Sequence, residues 1–189
     1  MEEEVEKKVE EKERELLAQS EVSLLMNGYN DIFSSFDPRP YSQRALSVDF
    51  LDEARRATRE LGEGGFQLRI LMPVAQRRVE KELVIKKRLK EHFKKHADKL
   101  EHEKRKILMQ GFYFIVIGII FMFIASFILF HYTQRNLMKE FLVVLLQPGG
   151  WFLFWEGLNL MIFESRRIKP DLEFYRKMIR AEITFSHYK

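Results

Sequence analysis

The sequence contains no cysteine, which excludes disulfide bonds, thiol nucleophiles and cysteine-ligated metal centres. The absence also fits a reducing, cytoplasmic environment. No signal peptide is predicted, because the first residues, MEEEVEKKVEEKERELL, are acidic and have neither a basic nor an apolar signal region. The sequence lacks a Walker motif and G-x-S-x-G, and GEGG at 62–65 precedes a predicted strand, whereas a phosphate-binding loop follows one. We therefore expect a non-enzymatic protein with no catalytic residues, no metal and no cofactor.

Two strongly apolar stretches, 107–130 and 141–163, stand out in a chain that is otherwise densely charged. Ile, Leu, Phe and Val supply sixteen of the twenty-four residues in the first stretch. Each stretch is long enough to cross the hydrocarbon core of a bilayer, which needs about 20 helical residues. The predicted fold is a mainly α membrane protein with a two-helix transmembrane hairpin over 107–163. A small cytoplasmic α+β portion and a long basic juxtamembrane helix complete it.

The distribution of Lys and Arg predicts the orientation of this hairpin. Residues 76–106 contain thirteen Lys or Arg against six Asp or Glu, and residues 164–189 contain seven against four. The connecting loop 131–140 has only Arg135 and Lys139. The positive-inside rule then places both termini in the cytoplasm of a multi-pass cell-membrane protein. The cations nearest the apolar stretches are expected to meet anionic lipid headgroups; they are Lys104, Arg105, Lys106, Arg166, Arg167 and Lys169.

The regions outside the hairpin divide into four further segments by composition. We predict a charged N-terminal helical segment at 1–32, a small helix–strand region at 33–73, a basic amphipathic helix at 74–106 and a C-terminal helix with a possible strand at 164–189. In the second segment, Ser47 is expected to cap a helix that ends before Gly62. The charge of the basic helix is accounted for by membrane topology, and nucleic-acid binding is not expected.

One strand and one helical stripe in these segments require packing partners. Residues 66–72 alternate apolar and other side chains, as in a half-buried strand, and a strand cannot stand alone. The best partner within the chain is 182–188, and the alternative is the same strand of another subunit. In the basic helix, an apolar stripe is expected to pack on the small domain, a second copy or the membrane surface; it consists of Ile85, Leu89, Phe93, Ala97 and Leu100.

Small residues recur every seven positions in both apolar stretches. They are Gly111, Gly118 and Ala125 in the first stretch, and Gly150 and Gly157 in the second. A seven-residue repeat keeps one helix face toward a neighbour, and small residues let two backbones approach closely. The repeat predicts a packing seam, either between the two helices of one hairpin or between subunits.

The second apolar stretch also contains polar residues, Gln147, Glu156 and Asn159. A charged side chain at the centre of a membrane helix costs about 2.5–3.5 kcal/mol on insertion scales, so such residues usually serve a function. These three form a candidate pore or intramembrane polar site. Pro148 allows two arrangements, a kinked full-length helix, which we favour, or a shorter helix that begins near Gly150.

The functional expectation follows from the strand, the stripe and the seam together. Each needs a partner, which predicts a self-associating, membrane-anchored scaffold or signalling module at the cytoplasmic face. The alternative is an oligomeric ion channel or pore whose path is lined by Glu156 and Asn159. His92 and His96 have the i, i+4 spacing of two metal ligands, but the lysines between them oppose a cation, so no metal site is predicted.

Overall fold

The computed structural model describes residues 21–59, 65–131 and 136–188. The fold is 72% helical, with a small three-stranded sheet. The chain divides into two compact units, one formed by Met1–Ala97 with Glu173–Lys189 and the other by Asp98–Leu172. Of the helical segment predicted at 1–32, the described part, 21–32, forms a strand and a short 3₁₀ turn, and the rest lies outside the described residues. The helix expected to continue up to Gly62 ends at Thr58.

The first unit alternates strands and helices along the chain. Its regular elements are β1 (Glu21–Leu25), α1 (Val48–Thr58), β2 (Gln67–Pro73) and β3 (Glu182–Tyr188), together with parts of two longer helices. Helix α2 spans Val79–His131 and contributes its residues up to Ala97, and helix α5 spans Lys169–Arg180 and contributes its residues from Glu173. Two short 3₁₀ turns, Tyr29–Ile32 and Val74–Gln76, follow β1 and β2.

The three strands form one parallel sheet in the order β1-β2-β3. Leu68 in the central strand is level with Val22 on one side and Ile183 on the other. The predicted pairing of 66–72 with 182–188 within the chain is therefore confirmed, whereas β1 was not predicted. Parallel strands require crossover connections, so the unit has the β-α-β arrangement of α/β proteins and not the α+β type expected. The apolar hairpin lies within the crossover from β2 to β3.

One face of this sheet forms the hydrophobic core. Leu68, Ile70 and Met72 of β2 are fully buried, and they alternate with residues of the opposite face that stay partly exposed. This alternation matches the predicted half-buried strand. Three residues of the apolar stripe of α2, Ile85, Leu89 and Phe93, pack in the same core, so the small domain is the partner of this part of the stripe. Leu100, the last residue of the stripe, is half-buried and belongs to the second unit. The helical residues of the core include Phe50 and Ala54 of α1, Ile85, Leu89 and Phe93 of α2, and Phe174 and Met178 of α5.

The helix α2 begins at Val79, five residues later than the sequence suggested. Pro73 ends β2, a 3₁₀ turn follows, and Arg77 is extended with ψ 134°. The amide of Arg78 then donates to the Tyr29 hydroxyl at 2.7 Å. This long-range hydrogen bond, which no local sequence pattern reveals, fixes the point from which the helix can start.

The second unit is built around two long apolar helices. The second part of α2 runs to His131, and α3 covers Leu137–Asn159. A π-helical segment, Leu160–Glu164, and the short helix α4, Ser165–Arg167, follow without an extended break. Both long helices have the length and composition to cross a membrane.

The helix α3 is continuous through Pro148. Its N-cap is Asn136, whose side chain accepts a hydrogen bond from the amide of Met138 at 3.2 Å. The helix therefore begins at Leu137 and not near Gly150, so the full-length arrangement is the one observed. Proline removes one backbone donor inside a helix, and the apolar packing of α3 has to compensate for that loss.

Candidate functional site

The surface of the helical hairpin formed by α2 and α3 is the most unusual feature of the second unit. In the most apolar 18-residue stretch of each of the two apolar helices, only 11% and 17% of the residues, respectively, are buried. The outward side chains are almost all large and apolar. Water-soluble proteins rarely expose continuous apolar surface on this scale. The exposed set includes Ile120, Phe123, Phe127 and Phe130 of α2, and Phe141, Val144, Leu145, Trp151, Phe152 and Trp155 of α3.

The inner face of the hairpin is closed by glycines in direct opposition. A Cβ atom added to Gly118 would lie 2.6 Å from the backbone oxygen of Gly150. One added to Gly157 would lie 2.6 Å from the backbone oxygen of Gly111. Side chains cannot occupy these positions at the present helix separation. The two helix backbones therefore touch at two levels, seven residues apart on each helix.

A third level continues the same antiparallel register. Ala125 lies seven residues beyond Gly118, and Val143 lies seven residues before Gly150. Both side chains are buried in the hairpin. Of the two packing seams considered for the small residues, the structure shows the one inside a single hairpin. Val143 belongs to this seam but was missed in the sequence, because valine is not a small residue and gave no signal.

The three polar residues of α3 do not form one site. Asn159 donates from Nδ2 to Oε2 of Glu156 at 3.5 Å, and both side chains are half-buried. Gln147 is exposed and lies nine residues before Glu156, which corresponds to about half a turn around the helix. The structure therefore brings Glu156 and Asn159 together but places Gln147 on the opposite side of α3.

The π-helical segment directly follows this polar pair. In it, the amide of Ser165 bonds to the carbonyl of Leu160, five residues earlier. The carbonyl of Met161, which that amide would serve in an α-helix, instead accepts from the Ser165 hydroxyl at 2.6 Å. The hydroxyl of the buried Ser165 thus donates to a backbone carbonyl that has lost its amide partner because the π-helical turn is wider than an α-helical one.

Cations collect at one end of the hairpin. The antiparallel register places 104–106 of α2 level with the end of the π-helical segment, and Arg166, Arg167 and Lys169 follow directly after that segment. Lys104 is half-buried, and the other five predicted headgroup-binding cations are exposed. Glu164 pairs with Arg167 at 3.2 Å and neutralises part of this charge. The remaining exposed members are Arg105, Lys106, Arg166 and Lys169.

In the first unit, His92 is a partly buried histidine in contact with a second imidazole. Its ring centroid lies 4.2 Å from that of His96, which in turn stacks on Tyr175 of α5. Nε2 of His92 is buried without a hydrogen-bond partner among the described residues. Burial, followed by the nearby charges of His96, Arg88 and Lys95, lowers the pKa of His92 from 6.5 to about 4. The ring is therefore neutral at pH 7.

The described residues include no group of three or more His, Asp or Glu side chains arranged to hold a metal ion. The two imidazole rings are tilted by 35° and lie close together, and the charges that act on His92 are cationic. Such surroundings oppose a bound cation. The pair is best understood as part of the packing between α2 and α5.

An ion pair between the partly exposed Arg77 and the buried Glu82 secures the start of α2. Arg77 contacts both carboxylate oxygens of Glu82, at 2.8 and 3.0 Å, and the Tyr29 hydroxyl donates to the same carboxylate at 3.2 Å. The hydrogen bonds from Arg77 lower the pKa of Glu82, while burial raises the pKa of Tyr29. All three groups have partners, so the cluster is structural and holds β1, β2 and α2 in register.

No protein-family model, curated protein or solved structure matches this chain. Function is therefore argued from the geometry alone. The apolar outer surface of the hairpin is the feature that a folded, water-soluble unit would not need.

Proposed function

We propose that this chain is a double-spanning, non-enzymatic integral membrane protein that anchors a small α/β unit at the cytoplasmic face. In this role the hairpin holds the protein in the bilayer, and the first unit presents an interaction or signalling surface. The outward-facing apolar side chains of α2 and α3 are the observation that carries the proposal. Exposed to water, they would drive aggregation, whereas in hydrocarbon they are in their preferred solvent.

The inner packing of the hairpin supports the same proposal. Lipid tails are as apolar as leucine, so helices in a bilayer are held by close packing and not by the hydrophobic effect. The opposed glycine pairs, Gly111 with Gly157 and Gly118 with Gly150, supply that kind of packing. Both spans are helical over their described length, so backbone groups away from the helix ends pair within each helix except at Pro148, which suits a medium without water.

The three features that predicted self-association are all satisfied within one chain. The strand 66–72 has a partner on each side, Ile85, Leu89 and Phe93 of the stripe lie in the core, and the small residues form a seam inside the hairpin. Self-association remains a prediction, but it now needs a different contact surface.

Membrane insertion and orientation can be tested with single cysteines, since the chain has none of its own. Phe36, exposed in the first unit, and Leu137, exposed at the other end of the hairpin, are suitable positions. In intact cells, a membrane-impermeant maleimide should label Leu137→Cys, and label Phe36→Cys only after permeabilisation. Extraction of the protein by alkaline carbonate, or the reverse labelling pattern, would contradict the proposal.

Anionic lipid headgroups are the proposed partners of the basic end of the hairpin. A juxtamembrane cation near an anionic surface contributes about 1 kcal/mol. We expect the triple variant Arg166→Gln, Arg167→Gln and Lys169→Gln to retain fewer anionic lipids after mild extraction, measured by native mass spectrometry. A matched triple variant of exposed lysines in the first unit should retain as many as the wild type; these are Lys87, Lys90 and Lys94. Equal losses in both would contradict a specific role.

A pore remains the second candidate function, favoured by the half-buried pair of Glu156 and Asn159 in an apolar helix. One hairpin cannot enclose a path, so several copies would have to place this pair toward a common axis. Ion flux into liposomes should then fall or change selectivity in Glu156→Gln. Flux that is absent in the wild type, or unchanged in the variant, would dismiss the pore.

A further inference from the structure

One flank of the hairpin differs chemically from the rest of its surface. Gln110 directly precedes Gly111, and Glu156 directly precedes Gly157. Each residue turns about 100° around a helix, and the helices are antiparallel, so positions just before two facing glycines fall on the same side of the hairpin. The residues just before the second pair of facing glycines, Gly118 and Gly150, lie on that side of the hairpin as well. The polar flank defined in this way consists of Gln110 and Ile117 of α2, and Gly149 and Glu156 of α3.

The polar flank is open and has unused hydrogen-bonding capacity. A Cβ atom added to Gly149 would meet nothing within 4 Å, in contrast to the seam glycines. The carboxylate of Glu156 accepts from Asn159 at 3.5 Å and makes no other hydrogen bond with the described residues. Gln110 is exposed and makes none with them. A lipid tail cannot satisfy either side chain.

The opposite flank has no such groups. It contains the residues that directly follow the seam glycines, and all are apolar. Three of the four side chains are exposed and Leu158 is half-buried, and such apolar side chains suit contact with lipid tails. These residues are Phe112 and Ile119 of α2, and Trp151 and Leu158 of α3.

We propose that a second copy of this chain docks on the polar flank, with a two-fold axis along the membrane normal. The inference rests on the proposed insertion in the bilayer. The seam register puts Gln110 and Glu156 within about one helical turn of the same depth. Two copies inserted in the same direction therefore bring Gln110 of one copy to Glu156 of the other, and the contact occurs twice.

The chemistry of the flank selects a second copy as the occupant. A glutamine amide offers two N–H donors and one acceptor, and a glutamate carboxyl group accepts them. The flank is thus complementary to itself. Gly149 adds open space in which a neighbouring helix can approach closely, as small residues do in membrane helix contacts.

Cysteine crosslinking in liposomes tests this contact with the full-length protein. Ile117→Cys lies on the polar flank, and Ile119→Cys is its matched control, since the two isoleucines flank Gly118 and are similarly exposed at 40% and 49%. With a short thiol-reactive crosslinker at low protein-to-lipid ratio, Ile117→Cys should form at least about tenfold more covalent dimer than its control. Equal crosslinking, preferential crosslinking at Ile119→Cys, or none at either position would overturn the proposal.

The role of the polar groups is tested in the Ile117→Cys background. Glu156→Leu removes the carboxylate but favours insertion, and it should weaken dimer formation about 5- to 30-fold, as expected for lost interhelical hydrogen bonds. Glu156→Gln keeps an acceptor oxygen for the Gln110 amide and should stay close to the parent. Wild-type levels of dimer in Glu156→Leu would overturn the proposed pairing.

Carbonate extraction of the same samples separates two kinds of failure. Protein that is extracted is not integral, and the proposed membrane function then fails. Protein that resists extraction but does not crosslink through Ile117→Cys leaves the membrane function intact and overturns only the dimer contact.

Discussion

Replacement of Gly118 by alanine is the sharpest perturbation of the hairpin. The new methyl carbon would lie 2.6 Å from the backbone oxygen of Gly150 and 2.7 Å from the backbone nitrogen of Phe154. Ordinary contacts of this kind exceed about 3.4 Å. Both neighbours are backbone atoms, so neither can turn aside, and the two helices must separate by several tenths of an ångström.

The expected cost follows from two opposing effects. Overpacking of a close contact costs about 1–3 kcal/mol. Alanine in place of glycine stabilises a helix by about 0.5–1 kcal/mol. We therefore expect Gly118→Ala to lower the free energy of unfolding of the hairpin by about 1–2 kcal/mol. Gly149→Ala is the matched control, since its methyl group meets nothing within 4 Å and only the stabilising effect applies.

The measurement is equilibrium unfolding by sodium dodecyl sulfate in mixed micelles, with micelles in excess so that each holds one chain. Tryptophan fluorescence reports on the hairpin, because both tryptophans of the sequence, Trp151 and Trp155, lie in α3. The reasoning is refuted if Gly118→Ala unfolds at the same point as the wild type. It is equally refuted if Gly149→Ala is destabilised to the same extent as Gly118→Ala.

Three further predictions concern the first unit, followed by urea unfolding in detergent and near-UV circular dichroism. The pKa of His92 falls from 6.5 in the unfolded chain to about 4 in the folded chain. Between pH 6.5 and pH 4 the unfolded chain therefore binds a proton that the folded chain does not, and the free energy of unfolding decreases as the pH is lowered over this range. Allowing for partial exposure, the loss between pH 7 and 4 is about 1–2 kcal/mol, and His92→Gln should remove it; an unchanged pH slope would contradict this. Glu82→Ala leaves Arg77 without its buried partner and should cost about 2–4 kcal/mol, whereas Glu53→Ala, which breaks an exposed pair, should cost less than about 0.5 kcal/mol. Ile70→Ala empties a fully buried position in the central strand and should cost about 2–4 kcal/mol, and a cost below about 1 kcal/mol would place the core elsewhere.

Local sequence patterns were enough to predict those elements that do not depend on which particular distant segment they contact. The alternation of 66–72 predicted a half-buried strand because successive side chains point to opposite faces, whatever the strand pairs with. The repeat of Gly111, Gly118, Gly150 and Gly157 predicted a close helix contact because only the period of the helix matters for it. The apolar composition of the two spans likewise depends on no tertiary contact.

Long-range contacts decided what the patterns could not. The strand β1 is short, and the segment around it reads as mixed, so only its pairing with β2 reveals it. The start of α2 depends on a hydrogen bond from Arg78 to Tyr29, forty-nine residues away. Parallel pairing, and with it the α/β character of the unit, also cannot be read from strand composition alone.

The candidate site divides in the same way. The sequence by itself determined that the hairpin is apolar, that its small residues repeat every seven positions and that Glu156 is an exception in an apolar helix. Only the tertiary structure decided that the strand, the helical stripe and the glycines find their partners within one chain. It also separated Gln147 from Glu156 and, through the seam register, placed Gln110 and Glu156 on the same flank of the hairpin. The reason is physical: periodicity defines the face of a helix, whereas the object that covers the face is chosen by the packing of distant segments.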